Sequence, residues 1–271
     1  MMGNFNLEDS MLKQVVSIVA VLFLFMGSSL QAQLAEPTNM VVMDKYTGTD
    51  LAVFSTYFTM LQDRYEGRTG PASGWGIYYE SPTVMYRLAA VPEGGMEGVL
   101  ELQQDRVTSA NAFSESDRNL WETAWEGRET SIWAELGGLN YMPNNFEMNY
   151  RTVSGNPYHS IRVYYVKQGE QLNFERAIER MNELNRSVGI NDLVLRVFRG
   201  GWGTMAPVYM FRSSSEDMED AAKKFAAHNA ARESILPEWQ ENNRRMTAMS
   251  RSVDQGMNFR VADLSRSGTP R

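Results

Sequence analysis

Short motifs recur in the same order in the two halves of this chain. Trp75-Gly76 is followed by Met85-Tyr86-Arg87, and Trp202-Gly203 by Met210-Phe211-Arg212. Met148-Asn149-Tyr150-Arg151 returns as Met257-Asn258-Phe259-Arg260, and each copy runs into a Ser-Gly and Pro tail. Self-similarity at this distance marks one folding unit used twice. It restricts the chain to architectures built from two equivalent halves. It also predicts that Trp75 is matched by Trp202 and Arg151 by Arg260.

Hydrophobic spacing predicts the same element order in each half. Val41 to Tyr46 reads as a short apolar strand. Thr49 or Asp50 can cap the following helix, whose stripe Leu51, Phe54, Phe58, Leu61 and Tyr65 has helical intervals. Trp75–Glu80 and Thr83–Ala89 read as a hairpin around Ser81-Pro82. A second helix carries Met96, Val99, Gln103, Val107 and Ala110, and a third carries Trp121, Trp125, Arg128, Ile132 and Leu136. Phe146–Thr152 is then the last strand of the first copy. In the second copy, Ile161–Lys167 is a strand, and Phe174, Ile178, Met181, Asn185 and Val188 form a helical face. Leu193–Arg199 and Val208–Arg212 flank a Gly-rich turn. Ser214 with Asp217 forms a capping box for the next helix. Leu236, Trp239, Asn243, Met246 and Val253 form the last helical stripe, and Met257–Ala262 closes the copy.

Composition bounds the class. The chain has no cysteine, so disulfides, thiolate chemistry and Cys-ligated zinc are excluded. The net charge of −7 argues against a nucleic-acid or anionic-membrane surface. Residues 1–33 read as a signal peptide. Lys13 precedes an uncharged run from Val15 to Phe25, followed by small residues up to Ala32. Glu8 and Asp9 suit no such leader, which favours Met11 over Met1 as the start. The run is too short to span a bilayer. The mature protein is therefore expected to begin near Gln33, to be periplasmic or secreted, and to carry no integral membrane anchor. The expected division is a first repeat over residues 39–153, a linker over 154–160, a second repeat over 161–264 and a polar tail over 265–271.

Strand-helix-strand-strand-helix-strand is the ferredoxin-like pattern, here with an extra helix before the last strand. Strands apolar on nearly every residue need both faces covered, so the two antiparallel sheets are expected to pack on each other and close a barrel. Tandem copies of this pattern, with their Trp-Gly motifs and aromatic strands, resemble the dimeric α+β barrel superfamily over roughly residues 39–265. That superfamily includes antibiotic-biosynthesis monooxygenases, EthD-like and NIPSNAP-like proteins, and chlorite-dismutase-like haem proteins. The resemblance implies an α+β fold of two tandem ferredoxin-like repeats forming a pseudo-dimeric barrel, as a monomer or as a larger homo-oligomer.

Several residues carry candidate chemistry. There are two histidines, and neither stands in a metal-ligand spacing, so no metal is expected. His228 shares a helix face with Met218, Ala221 and Phe225. The haem-binding branch of the superfamily takes its axial ligand from the second copy, so the resemblance implies His228 as a haem alternative in an otherwise cofactor-free protein. The bland reading is a histidine satisfied by a hydrogen bond. His159 falls in the linker and is expected in solvent. Gly201-Trp202-Gly203-Thr204-Met205-Ala206 matches a dinucleotide fingerprint in letters only, because a strand and not a helix follows. Asp44 and Glu80 are charged residues on apolar strands, with strand ends in water as their bland reading.

The duplicated Asn-x-Arg is the strongest site candidate. In a strand, Asn149 and Arg151 share one face, and Asn258 and Arg260 repeat this. With Arg162 and Arg196 they are expected to turn into the barrel, where Tyr164, Tyr209, Phe198 and Trp75 would supply aromatic walls. Such a cavity would bind a small aromatic or anionic ligand. The alternatives are a cofactor-independent monooxygenase or isomerase, haem binding through His228, and a filled barrel serving a structural or interaction role, for which an exposed Trp133 would be the partner surface.

Overall fold

A computed structural model describes residues 34–66, 74–91, 95–142, 157–205 and 207–266. Ala35–Arg271 form one compact unit. The expected signal peptide, the expected strand Phe146–Thr152 and the end of the tail lie outside the described residues.

The first half runs β1 (Asn39–Thr47), α1 (Leu51–Arg64), β2 (Gly76–Ser81), β3 (Val84–Val91), α2 (Met96–Asn111), α3 (Glu115–Thr123) and β4 (Gly127–Glu135). The second repeats it as β5 (Tyr158–Val166), α4 (Gln171–Ser187), β6 (Leu195–Gly200), β7 (Val208–Ser215), α5 (Met218–Ala231), α6 (Leu236–Ala248) and β8 (Ser250–Arg260). β5 begins at Tyr158, inside the stretch expected to be linker. All pairings are antiparallel, and the sheet closes in the order β1-β3-β2-β8-β5-β7-β6-β4. Each half contributes four consecutive strands of that ring. The halves meet where β2 pairs with β8 and where β4 pairs with β6. The fold is thus a mixed α+β barrel of two ferredoxin-like halves, and closure leaves no free strand edge in the ring.

The apolar side chains divide by face. One cluster unites Val42, Tyr46, Ile77, Met85 and Ala89 with Phe54, Tyr57, Phe58 and Leu61 of α1. A second unites Tyr164, Val197, Tyr209 and Phe211 with Phe174, Ile178 and Met181 of α4. A third holds strand residues alone: Val41, Trp133, Phe198, Val208 and Met210, with Met43, Leu88, Ile161, Val163 and Tyr165 against them. This third cluster lies inside the barrel, and the first two lie under the helices.

Helix starts follow local chemistry. Asp50 caps α1 by accepting from the amides of Ala52 and Val53, and Ser114 forms a capping box with Asp117 on α3. On α5 the cap is Asp217, which accepts from Asp220, and not Ser214 as the sequence suggested.

Two expectations are overturned by the strands. The third helix of the first half stops at Thr123, and Arg128, Ile132 and Leu136 fall on β4 and the residue after it. Residues four apart share a face in a helix and also in a strand, so the spacing did not discriminate. Val253, expected on the last helical stripe, lies instead in β8. Trp133 is therefore buried inside the barrel and offers no partner surface.

The motif repeat is also not a structural equivalence. Trp75 enters β2 and is buried, whereas Trp202 lies in the turn leaving β6 with 59% of its surface exposed. Met85 and Arg87 face the helices, and Met210 faces the barrel. A one-residue slip of register is enough to exchange the faces.

The β6–β7 turn seals the second seam. Gly201 N donates to Ile132 O, and Ile132 N donates to Trp202 O. Gly203 has φ +75°, and a Cβ there would lie 2.3 Å from Thr130 O. Gly203→Ala is expected to cost at least about 2 kcal/mol through backbone strain and this clash. Thermal unfolding would show it, and a variant as stable as wild type would contradict the packing described.

Candidate functional site

Buried polar side chains gather inside the barrel, where β5 and β6 start and β7 and β8 finish. Strand pairing sets Arg196 of β6 directly across from Arg212 of β7. It sets Ile161 across from Arg212, and His159 of β5 across from Asn258 of β8. Arg260 faces Tyr78 across the β2–β8 seam. Glu135, at the end of β4, faces Phe198 across the β4–β6 seam.

Glu135 has no exposed surface. Arg196 holds it through two bonds, Nε to Oε1 at 2.7 Å and Nη2 to Oε2 at 2.8 Å. Asn140 donates to Oε1 at 2.9 Å and Asn39 to Oε2 at 3.3 Å. A buried ion pair is tolerable when its remaining lone pairs are satisfied in this way. Arg212 makes no such ion pair among the described residues. Arg212 stacks on Tyr78, 4.5 Å from the ring centroid, and Tyr78 meets His159 edge-on at 5.2 Å. Burial alone would raise the Tyr78 pKa, but the charge and close polar contact of Arg212, with Arg260 and Arg196 behind it, hold the phenol below its ordinary range.

His159 is 1% exposed, a correction to its expected place in solvent. Burial first, and then the charges of Arg212, Arg196 and Arg260, push its imidazole down to about 2. It is therefore neutral and can present one donor and one acceptor. Among the described residues, neither ring nitrogen has a hydrogen-bond partner, and neither does Asn258 Oδ1 beside it.

The other candidates from sequence are dispersed. Asn258, Arg260 and Arg196 are brought together here, whereas Asn149 and Arg151 lie outside the described residues. Tyr164, Tyr209 and Trp75 face the helices and not the barrel. Tyr209 donates to Glu175 Oε1 at 2.7 Å, and Trp75 Nε1 donates to Leu264 O at 2.9 Å. Arg162 alternates with the inward Ile161 and Val163, points outward, and is exposed. Of the expected aromatic walls Phe198 does face the barrel, and Tyr78 and Trp133 join it in place of the other three. Tyr78, Arg212, His159 and Glu135 escaped sequence reasoning, because their common face depends on strand pairing. The alternation of Arg212 with Met210 was the only local signal available.

His228 lies in the last turn of α5, and its Nε2 is 2.7 Å from Asp192 Oδ1. A haem iron would have to displace that carboxylate or take the other nitrogen. Among the described residues, no group of acidic and histidine side chains is arranged to hold a metal ion, and no helix is long and apolar enough to cross a membrane. Glu80 is exposed and hydrogen-bonded by Tyr86. Asp44 is fully buried, contrary to the expectation of a strand end in water.

The architecture that holds this site is the dimeric α+β barrel, formed within one chain. An anthrone oxidase-like protein matches with a TM-score of 0.53 and 10% identity, over 84% of this chain and 93% of its own. A monooxygenase-like protein from Lactobacillus acidophilus matches with a TM-score of 0.50 and 10% identity, over 85% and 97%. Another from Fusobacterium nucleatum matches with 0.50 and 8%, over 86% and 98%. At such identities the likeness is one of fold. No family model matches the sequence, and no curated protein does.

Two outcomes follow from this geometry. Glu135→Gln leaves Arg196 without its countercharge and is expected to cost about 3–5 kcal/mol in chemical denaturation. The imidazole of His159 takes up its proton in the unfolded chain near 6.5 but in the folded chain only near 2. Above the unfolded value the two states bind the same protons and the effect vanishes. As pH falls below it, the unfolded state gains a proton that the folded state refuses, and stability drops by up to about 1.4 kcal/mol per unit. His159→Phe should flatten that dependence between pH 6.5 and 4. A His159 ring that titrates near 6.5 by NMR in the folded protein would refute the burial.

Proposed function

We propose that the barrel interior binds a small anionic ligand with an aromatic body. The observation that carries this reading is the set of buried atoms with no partner among the described residues, both ring nitrogens of His159 and Asn258 Oδ1, beside the guanidinium group of Arg212. Each unsatisfied buried polar atom costs about 1–3 kcal/mol, and a ligand that completes it recovers that cost. Arg212 and Arg260 supply charge-assisted donors for a carboxylate or phenolate. Neutral His159 and Asn258 fix its orientation, and Tyr78, Phe198 and Trp133 line the apolar part.

A second reading is acid–base turnover of the same ligand, as expected of a cofactor-independent oxygenase or isomerase. It is favoured by Tyr78, whose phenol is held below its ordinary range next to Arg212. Similarity in fold to monooxygenase-like proteins supports it only as analogy. Export through the Val15–Phe25 segment belongs to the same proposal, and recovery of a mature chain starting at Gln33 would support it.

Calorimetric titration with benzoate and salicylate, against benzyl alcohol, tests the binding role. Arg212→Met is expected to weaken carboxylate binding at least about tenfold, or roughly 1.4 kcal/mol, with thermal stability unchanged or higher. Equal binding by wild type and variant would sink the reading. A Soret band on purified protein, lost in His228→Ala, would replace it with haem binding. If Tyr78→Phe keeps binding and loses turnover, the acid–base reading is favoured.

A further inference from the structure

A cluster of buried cations lies on the opposite side of the barrel wall, between the strands and the helices of the first half. Asp44 of β1 faces outward, with Arg87 of β3 directly across on one side and Thr130 of β4 on the other. Its Oδ1 accepts from Arg128 Nε at 3.2 Å, Arg128 Nη2 at 2.9 Å and Thr130 Oγ1 at 2.7 Å. Arg106 reaches down from α2, and its Nη1 lies 3.1 Å from Asp44 Oδ2. That approach is an ion pair without hydrogen-bond alignment. Among the described residues, Oδ2 accepts no hydrogen bond, and Nε, Nη1 and Nη2 of Arg106 donate none. The Arg106 side chain is nine-tenths buried. Arg87 is also buried, and its Nε has no partner.

Three guanidinium groups therefore share one carboxylate, with Arg87 and Arg106 withdrawn from water and Arg128 partly exposed. Arg87 is offset in part by the Trp75 ring, 4.8 Å away, and Arg128 by the Trp121 ring at 5.2 Å. Arg106 has neither compensation. Burial first, and then repulsion from Arg87, lower its pKa to about 10, which records how poorly its charge is accommodated. A chain gains stability by replacing such a group with an apolar one unless something binds it.

We propose that this cluster is an oxyanion-binding site, separate from the barrel interior, in which Arg106 and Arg87 hold a phosphate or carboxylate group. The donors are desolvated, fixed by the sheet and by α2, and short of negative charge. A small oxyanion supplies that charge and fits the forked geometry of a guanidinium.

The test is thermal unfolding of the full protein in inorganic phosphate, in acetate and in chloride at matched ionic strength. Phosphate is expected to raise the wild-type Tm by roughly 4 °C or more at saturation. Arg106→Met is expected to be at least as stable as wild type without phosphate and to lose the shift. Arg87→Met is the second variant should the first not fold, and Arg212→Met in the barrel is expected to keep the shift. A response to phosphate and acetate alike identifies the occupant as any small oxyanion, and a response to phosphate alone as a phosphate group. No oxyanion-specific shift in wild type, or a full shift in both Arg106→Met and Arg87→Met, would overturn the proposal.

Discussion

The ion pair between Glu135 and Arg196 closes the barrel. It spans the seam where β4 of one half meets β6 of the other, with no exposed surface on the carboxylate. A buried charge of this kind survives only with every lone pair engaged, and here Asn140 and Asn39 complete the set. Asn140 also accepts from the amide of Val197 on β6, so one side chain ties the carboxylate to the backbone of the facing strand. Once the seam is shut, the strand ring has no free edge. Each further polar group inside then carries a large energetic consequence.

The barrel interior departs from two-fold symmetry. At one seam Tyr78 faces Arg260, and at the other Phe198 faces Glu135. One half supplies the carboxylate and the other supplies the arginines, the histidine and the asparagine. The mismatch places Arg212 and Arg196 around a neutral histidine.

The cluster at Asp44 gathers Arg87, Arg106 and Arg128 on the other face of the sheet. The two sites are separated by the barrel wall, because adjacent residues on a strand point to opposite sides. Met43 packs inside the barrel, while Asp44 next to it meets Arg106 and Arg128 beneath the helices. A single sheet thus serves two electrostatic environments.

Much of this was legible in the amino-acid sequence. The element order and the ferredoxin-like pairing followed from hydrophobic spacing, as did the buried faces of α1 and α4 through Phe54, Phe58, Phe174 and Ile178. Arg196, Asn258 and Arg260 could be singled out as charged or polar residues alternating with apolar ones. Tyr78, Arg212, His159 and Glu135 could not, because their convergence depends on which strands pair and in what register. Arg128 and Ile132 mimicked a helical stripe since residues four apart share a face in either structure. Met-x-Arg in β3 and β7 looked equivalent, yet Met85 and Met210 face opposite sides. Local periodicity is a property of the chain and is written in its sequence. Register and closure are set by contacts between residues far apart along it, and a shift of one position reverses every side chain. The sequence alone determined that the chain would build a two-part α+β barrel, and only the tertiary structure decided which side chains the barrel encloses.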